Sequence, residues 1–293
     1  MKACARFLSV AVLGFLLAGC ASMDLSLGNV VALGQGVQQV QTAEQTEFTP
    51  EQEYYIGRAV AANLLSTRKV YDNRRATDYL NVLEKALSIY SDRPDTFGGY
   101  HVLIIDSDEI NAFAAPGGLI LVSRGLLRCA TSEDSVAAIL AHETSHVVLK
   151  HGLNAIKEAR KTAAYRNLGI AAANTAGGSN VQQLTDLFKD SIADITNTLV
   201  NNGYSRDLEF QADQMALEIM RRAGYDPRAF DAMLKVMETK IKPGGLDFAK
   251  THPDPKDRIE KVDDTLSSEP GVTTSPQSLA ARQARYQAAL GSI

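Results

Sequence analysis

The chain has 293 residues, of which 45% are hydrophobic and 22% are charged, and its formal net charge is −4. These fractions are those of an ordinary globular protein, and the length is enough for one catalytic domain with appendages. No run of Lys or Arg rises above the background, so we expect no nucleic-acid partner.

The first twenty residues predict an export signal that ends in a lipid-attachment site. Lys2 and Arg6 form a short basic region, and the apolar run over residues 7–17 is too short to span a bilayer. Cys20 follows closely. This order resembles a bacterial lipoprotein signal, which implies cleavage before Cys20 and acylation of that residue. An ordinary secretory signal that happens to end in Cys is the alternative.

Lipidation of Cys20 would decide where the protein lies. Three acyl chains would hold the mature chain on a membrane of the cell envelope, because one chain is already marginally sufficient. Ala21 follows in place of an Asp, and by the sorting pattern of Gram-negative lipoproteins this favours the outer membrane, facing the periplasm. Residues 20–48 have the composition of a tether. Beyond the signal, no apolar stretch is long enough to cross a bilayer.

The first predicted elements are two helices and a small sheet. Thr49 is typical of a helix N-cap and is followed by Pro and, three residues on, by Gln, so a helix is predicted over residues 50–65. Apolar residues on one face predict a second helix over residues 77–91. Strands are predicted over residues 100–106 and 119–123, as a hairpin or small sheet.

The rest of the chain is predicted to be mainly helical. Ser132 caps a helix that should continue to about residue 150, because apolar residues repeat at helical spacing. More helices are predicted over residues 155–173, 182–199 and 205–222, after Asp226, from Asp254 to about residue 266, and at the end of the chain. The predicted fold class is therefore mainly α with a small β-sheet (α+β).

One short motif inside the helix that follows Ser132 carries chemistry. His142 and His146 are four residues apart, so both imidazoles lie on one helix face and can bind one metal ion at about 2.0 to 2.1 Å. Glu143 is offset toward a metal-bound water and is predicted as the general base. A catalytic zinc ion needs one more protein ligand and an open position.

Glu209 is the predicted third ligand. It lies on the helix predicted over residues 205–222, which can pack antiparallel to the first, and Asp213 follows one turn later on the same face. Asp213 is predicted to accept a hydrogen bond from a ligand histidine and so fix its tautomer. Taken alone, Glu209 would be a solvated helix carboxylate, but the Glu-x-x-x-Asp spacing favours the ligand.

These motifs together resemble a known family. The stretches that carry the resemblance are residues 111–118, 142–146, 151–152, 204–213, 251–253 and Arg258. They resemble the HtpX-like and CAAX-prenyl-endopeptidase-like zinc metallopeptidases, and more closely the soluble periplasmic lipoprotein branch of that family. The resemblance covers about residues 51–266 and implies a gluzincin core with one zinc ion per chain on the two histidines and Glu209.

Four segments are predicted on this basis: a lipoprotein signal peptide (1–19), a lipid-anchored tether (20–48), a zinc metallopeptidase domain (49–267) and a linker with a short C-terminal helix (268–293). The predicted function is zinc-dependent cleavage of internal peptide bonds, with misfolded or misassembled envelope proteins as substrates. A chaperone-like assembly factor that retains the fold but cleaves rarely is the alternative. A purely structural zinc site would favour four Cys-rich ligands.

Substrate binding is assigned to an edge strand. Asn111, Ala112, Phe113 and Ala114 are predicted to hold a protein or peptide substrate as an added strand. His252 is predicted to enter the active site, where it either donates to the tetrahedral oxyanion or occupies the fourth zinc position in a resting state.

Four other residues received predictions of their own. Arg258 is predicted to stabilise the same oxyanion, and Arg206 either to donate to it or, with Asp213, to support the ligands from behind. His151 lies about 500° around the helix from His146, so it is predicted as structural or as a helix C-terminal cation. Cys129 is predicted to be a buried apolar residue.

Overall fold

The computed structural model describes residues 47–175, 203–240, 252, 255–268 and 271–293, together with residues 31, 34–38, 40 and 41. Cys20, the predicted helix over residues 182–199 and the predicted cap Asp254 lie outside these residues. The chain divides into two compact units, residues 1–46 with 157–189 and residues 47–156 with 190–293. Every predicted site residue except Cys20 belongs to the second unit, which is described below.

This unit is mainly helical and contains a small sheet, which confirms the predicted fold class. Among the described residues, none of the helices has the length and apolar character needed to span a membrane. The strands are His101–Ile105 (β1), Ala112–Ala115 (β2) and Leu119–Ser123 (β3), and the helices are Pro50–Leu65 (α1), Arg74–Ile89 (α2), Arg124–Leu127 (α3), Glu133–Val148 (α4), His151–Thr175 (α5, of which residues 151–156 belong here), Arg206–Arg222 (α6), Arg228–Lys240 (α7), Pro255–Ser268 (α8) and Pro276–Leu290 (α9).

Side-chain caps explain several of these boundaries. The Thr49 hydroxyl accepts from the Gln52 N–H and the Gln52 side chain accepts from the Thr49 N–H, so the predicted capping box is confirmed. Helix α2 begins earlier than predicted because Asn73 accepts a hydrogen bond from a backbone N–H of its first turn. Ser132 caps α4 as predicted, and Ser205 caps α6.

The three strands lie in the order β1-β3-β2. Strand β1 pairs parallel with β3, and β2 pairs antiparallel with β3. The two predicted strands therefore form a sheet and not a hairpin with each other. The hairpin joins β2 to β3 through Gly117 and Gly118, whose φ angles of +78° and +96° disfavour any residue with a Cβ.

Both faces of the sheet are covered. Val102, Ile120 and Val122 on one face pack into a large core with α2, α4 and α6. Leu119 and Leu121 on the opposite face pack against α1 and the start of α5. Every residue of α4 except the last is buried, so the helix that carries the predicted metal motif lies inside the unit.

The C-terminal helix α9 packs on the first turn of α4. The Arg285 Nε lies 2.9 Å from a carboxylate oxygen of Glu133, and Arg282 pairs with Asp134 at 3.1 Å. Tyr286 joins the large core. The helix that the sequence placed beyond the domain boundary at residue 267 thus contributes to the core that carries α4.

Candidate metal centre

Two histidines of α4 face the same point. His142 and His146 lie one turn apart on the helix and are 3% and 2% exposed. Their Nε2 atoms are 3.1 Å apart. Because neither ring reaches solvent, each of their nitrogens needs a hydrogen-bond partner or a metal ion.

Glu209 of α6 turns its carboxylate toward this histidine pair. Its side chain is fully buried, with Oε2 3.4 Å from the Nε2 of His142 and Oε1 3.4 Å from the Nε2 of His146. Within the described residues, the buried Oε1 makes no hydrogen bond. The structure therefore brings together the two histidines and the glutamate that the sequence predicted as ligands.

The spacing and chemistry of these donors fit a zinc ion. Ligand atoms at about 2.0 to 2.1 Å from a tetrahedral zinc ion lie about 3.3 Å from one another. The measured separations are 3.1 to 3.4 Å. One donor atom of His252 joins the three others, and all four atoms lie within 4.8 Å of one another in buried residues. Imidazole and carboxylate are ordinary zinc ligands.

His252 lies inside the site, where the sequence predicted it. It is 4% exposed, and its Nδ1 is 2.8 Å from the Oε2 of Glu209. Its ring centroid is 5.3 Å from that of His142 and 5.7 Å from that of His146. A solvated loop histidine is therefore excluded. The position among the donors suits a fourth ligand, and oxyanion donation stays the second predicted role.

A buried ion pair lies behind His142. Its Nδ1 is 2.9 Å from the Oδ1 of Asp213, the contact that the helix spacing predicted. Arg258 holds both oxygens of Asp213, with Nε–Oδ2 and Nη2–Oδ1 distances of 2.9 and 2.6 Å. Burial and Arg258 lower the pKa of His142, but Asp213 and Glu209 outweigh them and raise it to about 9.

Arg258 lies inside the site. Its guanidinium is buried and contacts Asp213 and the Nδ1 of His142, at 3.2 Å, on the side of that ring opposite to the metal-facing Nε2. Arg258 therefore clamps Asp213, and its Nη1 also lies 3.8 Å from the Oε2 of Glu209. Its role as a donor to the oxyanion stays a prediction.

Arg206 does not reach the site. Its side chain is 71% exposed and pairs with Asp257 at 3.2 Å. Being at the first position of α6, it points outward while Glu209 points inward. The prediction that Arg206 supports the ligands was wrong. It rested on the position of Arg206 in a motif of the family, and a position in a motif does not say in which direction the side chain points.

His146 is supported by two rings instead of a carboxylate. The Nδ1 of His151 lies 2.9 Å from the Nδ1 of His146, and the Tyr204 ring stacks on His146 with centroids 4.4 Å apart. Burial lowers the pKa of His146 to about 3 and also lowers that of His151. His151 is thus structural, as predicted, but it is not a cation at a helix end.

The contact between His146 and His151 was missed because the sequence was read as one continuous helix. Helix α4 ends at Val148, and Lys150 takes a left-handed φ of +56° before α5 begins at His151. This corner folds His151 back toward His146. A residue with positive φ that is not glycine leaves no pattern in the sequence.

Glu143 is 2% exposed, and burial raises the pKa of its carboxyl. The hydroxyl of the next residue, Thr144, donates a hydrogen bond of 2.7 Å to the carboxyl of Glu84 on α2. Burial raises the pKa of Glu84 to about 8. Glu84 was missed by sequence reasoning, because it occupies an ordinary position of an amphipathic helix.

Strand β2 lies at one edge of the sheet, and its Ala112 and Ala114 are 3% and 4% exposed. Ser123 donates its N–H to the carbonyl of Asn111, so the N–H and C=O groups of Ala112 and Ala114 point away from β3. No backbone hydrogen bond from the described residues reaches these groups. Phe113 is half-buried. This edge is where the sequence predicted substrate binding.

The opposite edge of the sheet is closed. The Asn81 side chain donates to the carbonyl of Val102 and accepts from the Val102 N–H, and each of these hydrogen bonds is 2.9 Å long. Tyr71 donates its N–H to the carbonyl of Ile104. Strand β1 is therefore blocked at its outer edge, whereas the outward backbone groups of β2 receive no backbone hydrogen bond from the described residues.

Comparisons with known proteins agree with this geometry. Peptidase family M48 matches residues 73–266, which include all four donors. The chain is 23% identical over 239 residues to the beta-barrel assembly-enhancing protease of Escherichia coli (strain K12), covering 81% of the chain and 45% of that protein. It is 31% identical over 196 residues to the mitochondrial metalloendopeptidase OMA1 of Schizosaccharomyces pombe, covering 65% and 53%.

The chain spans about half the length of these curated relatives. The mitochondrial metalloendopeptidase OMA1 of Arabidopsis thaliana is similar over a shorter stretch, at 32% identity over 166 residues, 54% of the chain and 30% of that protein. None of these relatives is named for HtpX or for CAAX prenylation. The similarity is therefore to the family as a whole and not to those two members.

Proposed function

Because the chain belongs to peptidase family M48, we propose that it is a zinc-dependent endopeptidase that hydrolyses internal peptide bonds of cell-envelope proteins. One observation carries the proposal: His142, His146, Glu209 and His252 bring four donor atoms within 4.8 Å of one another in the interior. Glu143 follows the first of these ligands directly. That combination provides a site for a metal ion with a carboxyl base beside it, and peptide hydrolysis by a metallopeptidase requires both.

In the proposed mechanism, His142, His146 and Glu209 hold the zinc ion. When bound, zinc lowers the pKa of its water and polarises the scissile carbonyl. Glu143 takes a proton from the attacking water and later gives it to the leaving amine. Burial raises the pKa of the Glu143 carboxyl and so brings it closer to the working pH of the enzyme. A general base whose pKa lies near that pH can both accept a proton and release it again.

We assign the substrate to the outer edge of β2. The outward N–H and C=O groups of Ala112 and Ala114 can pair with an extended peptide, and the half-buried Phe113 can contact its side chains. Ala114 packs with Val147 of α4, so a strand added there runs beside the ligand helix. Main-chain pairing of this kind is insensitive to sequence, which suits unfolded or misassembled substrates.

A chaperone-like assembly factor that cleaves rarely remains a second candidate. Two observations favour it: His252 occupies a position among the donors, and relatives of the chain are named for assembly enhancement as well as proteolysis. A site whose fourth position is taken by its own side chain would hold substrates more often than it cuts them.

We also propose that the chain is a periplasmic lipoprotein anchored to the outer membrane through Cys20. The support is the basic and apolar sequence that precedes this residue and the Ala that follows it. Replacing Cys20 with Ser should remove the anchor, because a hydroxyl cannot form the thioether. Unchanged sedimentation of the Cys20→Ser protein with membranes would contradict the assignment.

The experiment that tests the endopeptidase uses full-length chain purified in detergent. Its zinc content is measured, and a reduced, unfolded protein is then added and its fragments are identified by mass spectrometry. We expect about one zinc ion per chain and internal cuts. The matched control is Glu143→Gln, which should keep the zinc and lose roughly 100- to 10,000-fold in rate, since an amide cannot accept the proton.

Cleavage by Glu143→Gln at the parental rate would remove Glu143 from the role of base. Full zinc occupancy without any cleavage, in the parent and after His252→Ala, would favour the assembly factor. Absence of zinc from the parent would contradict the metal centre itself.

A further inference from the structure

We propose, on the basis of the zinc site assigned above, that His151 is a positioning residue that sets the tautomer of His146. In this arrangement the Nδ1 of His151 accepts the hydrogen carried by the Nδ1 of His146, which leaves the Nε2 lone pair of His146 directed at the metal ion. The assignment concerns hydrogen positions in two neutral imidazoles.

The first support is the geometry of the two rings. Their Nδ1 atoms are 2.9 Å apart, the centroids are 5.0 Å apart, and the ring planes are inclined by 70°. This separation is that of a hydrogen bond, so one of the two atoms carries a hydrogen and the other offers a lone pair. Both residues are buried, at 2% and 1% exposure, so water does not compete for the contact.

The second support fixes the direction of the bond. The Nε2 of His146 is the nitrogen that faces the Nε2 of His142, at 3.1 Å, and the carboxylate of Glu209, at 3.4 Å. A neutral imidazole that binds a metal through Nε2 carries its hydrogen on Nδ1. His146 must therefore be the donor and His151 the acceptor, because two Nδ1–H groups would collide.

The third support is the backbone that brings His151 to this place. Lys150 has a φ of +56°, an unfavourable conformation for a residue with a Cβ. The next residue after His151 is Gly152, where a Cβ would lie 3.3 Å from Pro116 and 3.4 Å from the hydroxyl of Tyr204. A strained corner followed by a close packing contact indicates that the position of His151 is strongly constrained.

The two ligand histidines are thus supported by different acceptors. The Nδ1 of His142 faces the carboxylate of Asp213, which Arg258 holds, whereas the Nδ1 of His146 faces an uncharged ring. An acceptor behind a ligand histidine fixes its orientation and tautomer, and loss of such an acceptor typically weakens metal binding about 10- to 100-fold.

Simple packing is the competing explanation, since Tyr204 also contacts both rings. Two substitutions separate the explanations. His151→Asn keeps an acceptor, because the Asn oxygen is attached to Cγ just as Nδ1 is in histidine. His151→Leu keeps a branched side chain that fills part of the same space and removes the acceptor. His101→Leu is the matched control, because His101 is exposed on β1, is not one of the donor residues and bonds to the carbonyl of Gly98.

The experiment measures zinc affinity of the full-length chain, stripped of metal, by competition with a chelator of known affinity. We expect His151→Leu to weaken zinc binding about 10- to 100-fold, and His151→Asn and His101→Leu to stay within about threefold of the parent. Melting temperatures of the metal-free proteins show whether each variant folds. In zinc-loaded protein with 15N-labelled histidine, the parent should show a protected Nδ1–H of His146 that His151→Leu loses.

Parental zinc affinity in a folded His151→Leu protein would overturn the inference, and so would equal losses in the Leu and Asn variants. A signal showing the hydrogen of His146 on Nε2 in the zinc-loaded parent would overturn it as well. These results differ from failure of the proposed function, in which the parent itself would not bind zinc.

Discussion

Helix α4 separates two groups of buried carboxyls whose pKa values shift in opposite directions. On the side of α6, burial raises the pKa values of Glu209 and Asp213, but neighbouring His and Arg residues outweigh it and hold both below their usual range. On the side of α2, burial raises the pKa of Glu84 to about 8 with only a hydroxyl to oppose it. The cost of burial is common to both sides, and the partners decide the charge.

The difference follows from the contacts. Asp213 receives two hydrogen bonds from Arg258 and a third from His142, whereas the Oε2 of Glu84 makes no hydrogen bond within the described residues. The side facing α6 is therefore a preorganised set of charges ready for a cation. The side facing α2 holds a carboxyl that is favoured in its neutral form.

The largest effect on stability should come from removing a partner on the side of α4 that faces α6, where His and Arg residues compensate the buried carboxylates. Arg258→Met leaves Asp213 buried with one partner, which should lower the free energy of unfolding by about 3 to 5 kcal/mol. Urea denaturation of the metal-free protein measures this. The matched control is Arg206→Met, whose exposed pair with Asp257 should contribute about 0 to 1 kcal/mol. Equal losses of unfolding free energy in the two variants would contradict the difference expected between the buried and the exposed ion pair.

Removal of a ligand should be next in size. Glu209→Ala should weaken zinc binding by about 3 to 4 kcal/mol, roughly 100- to 1,000-fold, which is one ligand's share of a typical zinc-site free energy. Elemental analysis after dialysis checks the occupancy, with Glu238→Ala on the exposed face of α7 as control. Parental occupancy in Glu209→Ala would require another third ligand.

On the side of α4 that faces α2, the buried Glu84 should make stability depend on pH. Glu84 has a folded pKa of about 8, above its unfolded value of 4.5, so the folded state binds the proton more tightly and stability falls as the pH rises through this window. Between pH 6 and pH 8 the parent should lose about 2 kcal/mol that Glu84→Gln retains. Gln can still accept from Thr144. Parallel stability curves for the two proteins would show that Glu84 is ionised when folded.

The smallest effect should come from His252. His252→Ala leaves three protein ligands and an open position, as in a catalytic zinc site, so turnover should rise roughly two- to tenfold. Initial rates of peptide cleavage at matched zinc occupancy measure this. A fall in turnover would instead assign His252 to the oxyanion, and unchanged rates would exclude both roles.

The sequence predicted the parts of the site that depend on local spacing. The histidine pair, the caps at Thr49 and Ser132, and the Glu209–Asp213 spacing all follow from contacts between residues three or four apart. The position of β2 at an edge of the sheet was also expected. What the spacing could not give was the direction of the strands, since parallel and antiparallel pairs share the same alternation of side chains.

What the sequence alone determined was therefore the fold class, the ligand helix and the chemistry of its donors, because helix periodicity and capping are local. The tertiary structure decided that Arg258 clamps Asp213, that Arg206 faces solvent, and that His151 supports His146. Each of these depends on where a distant element or a backbone corner places a side chain. Such placement comes from packing between residues far apart in the chain, and no short-range pattern records it.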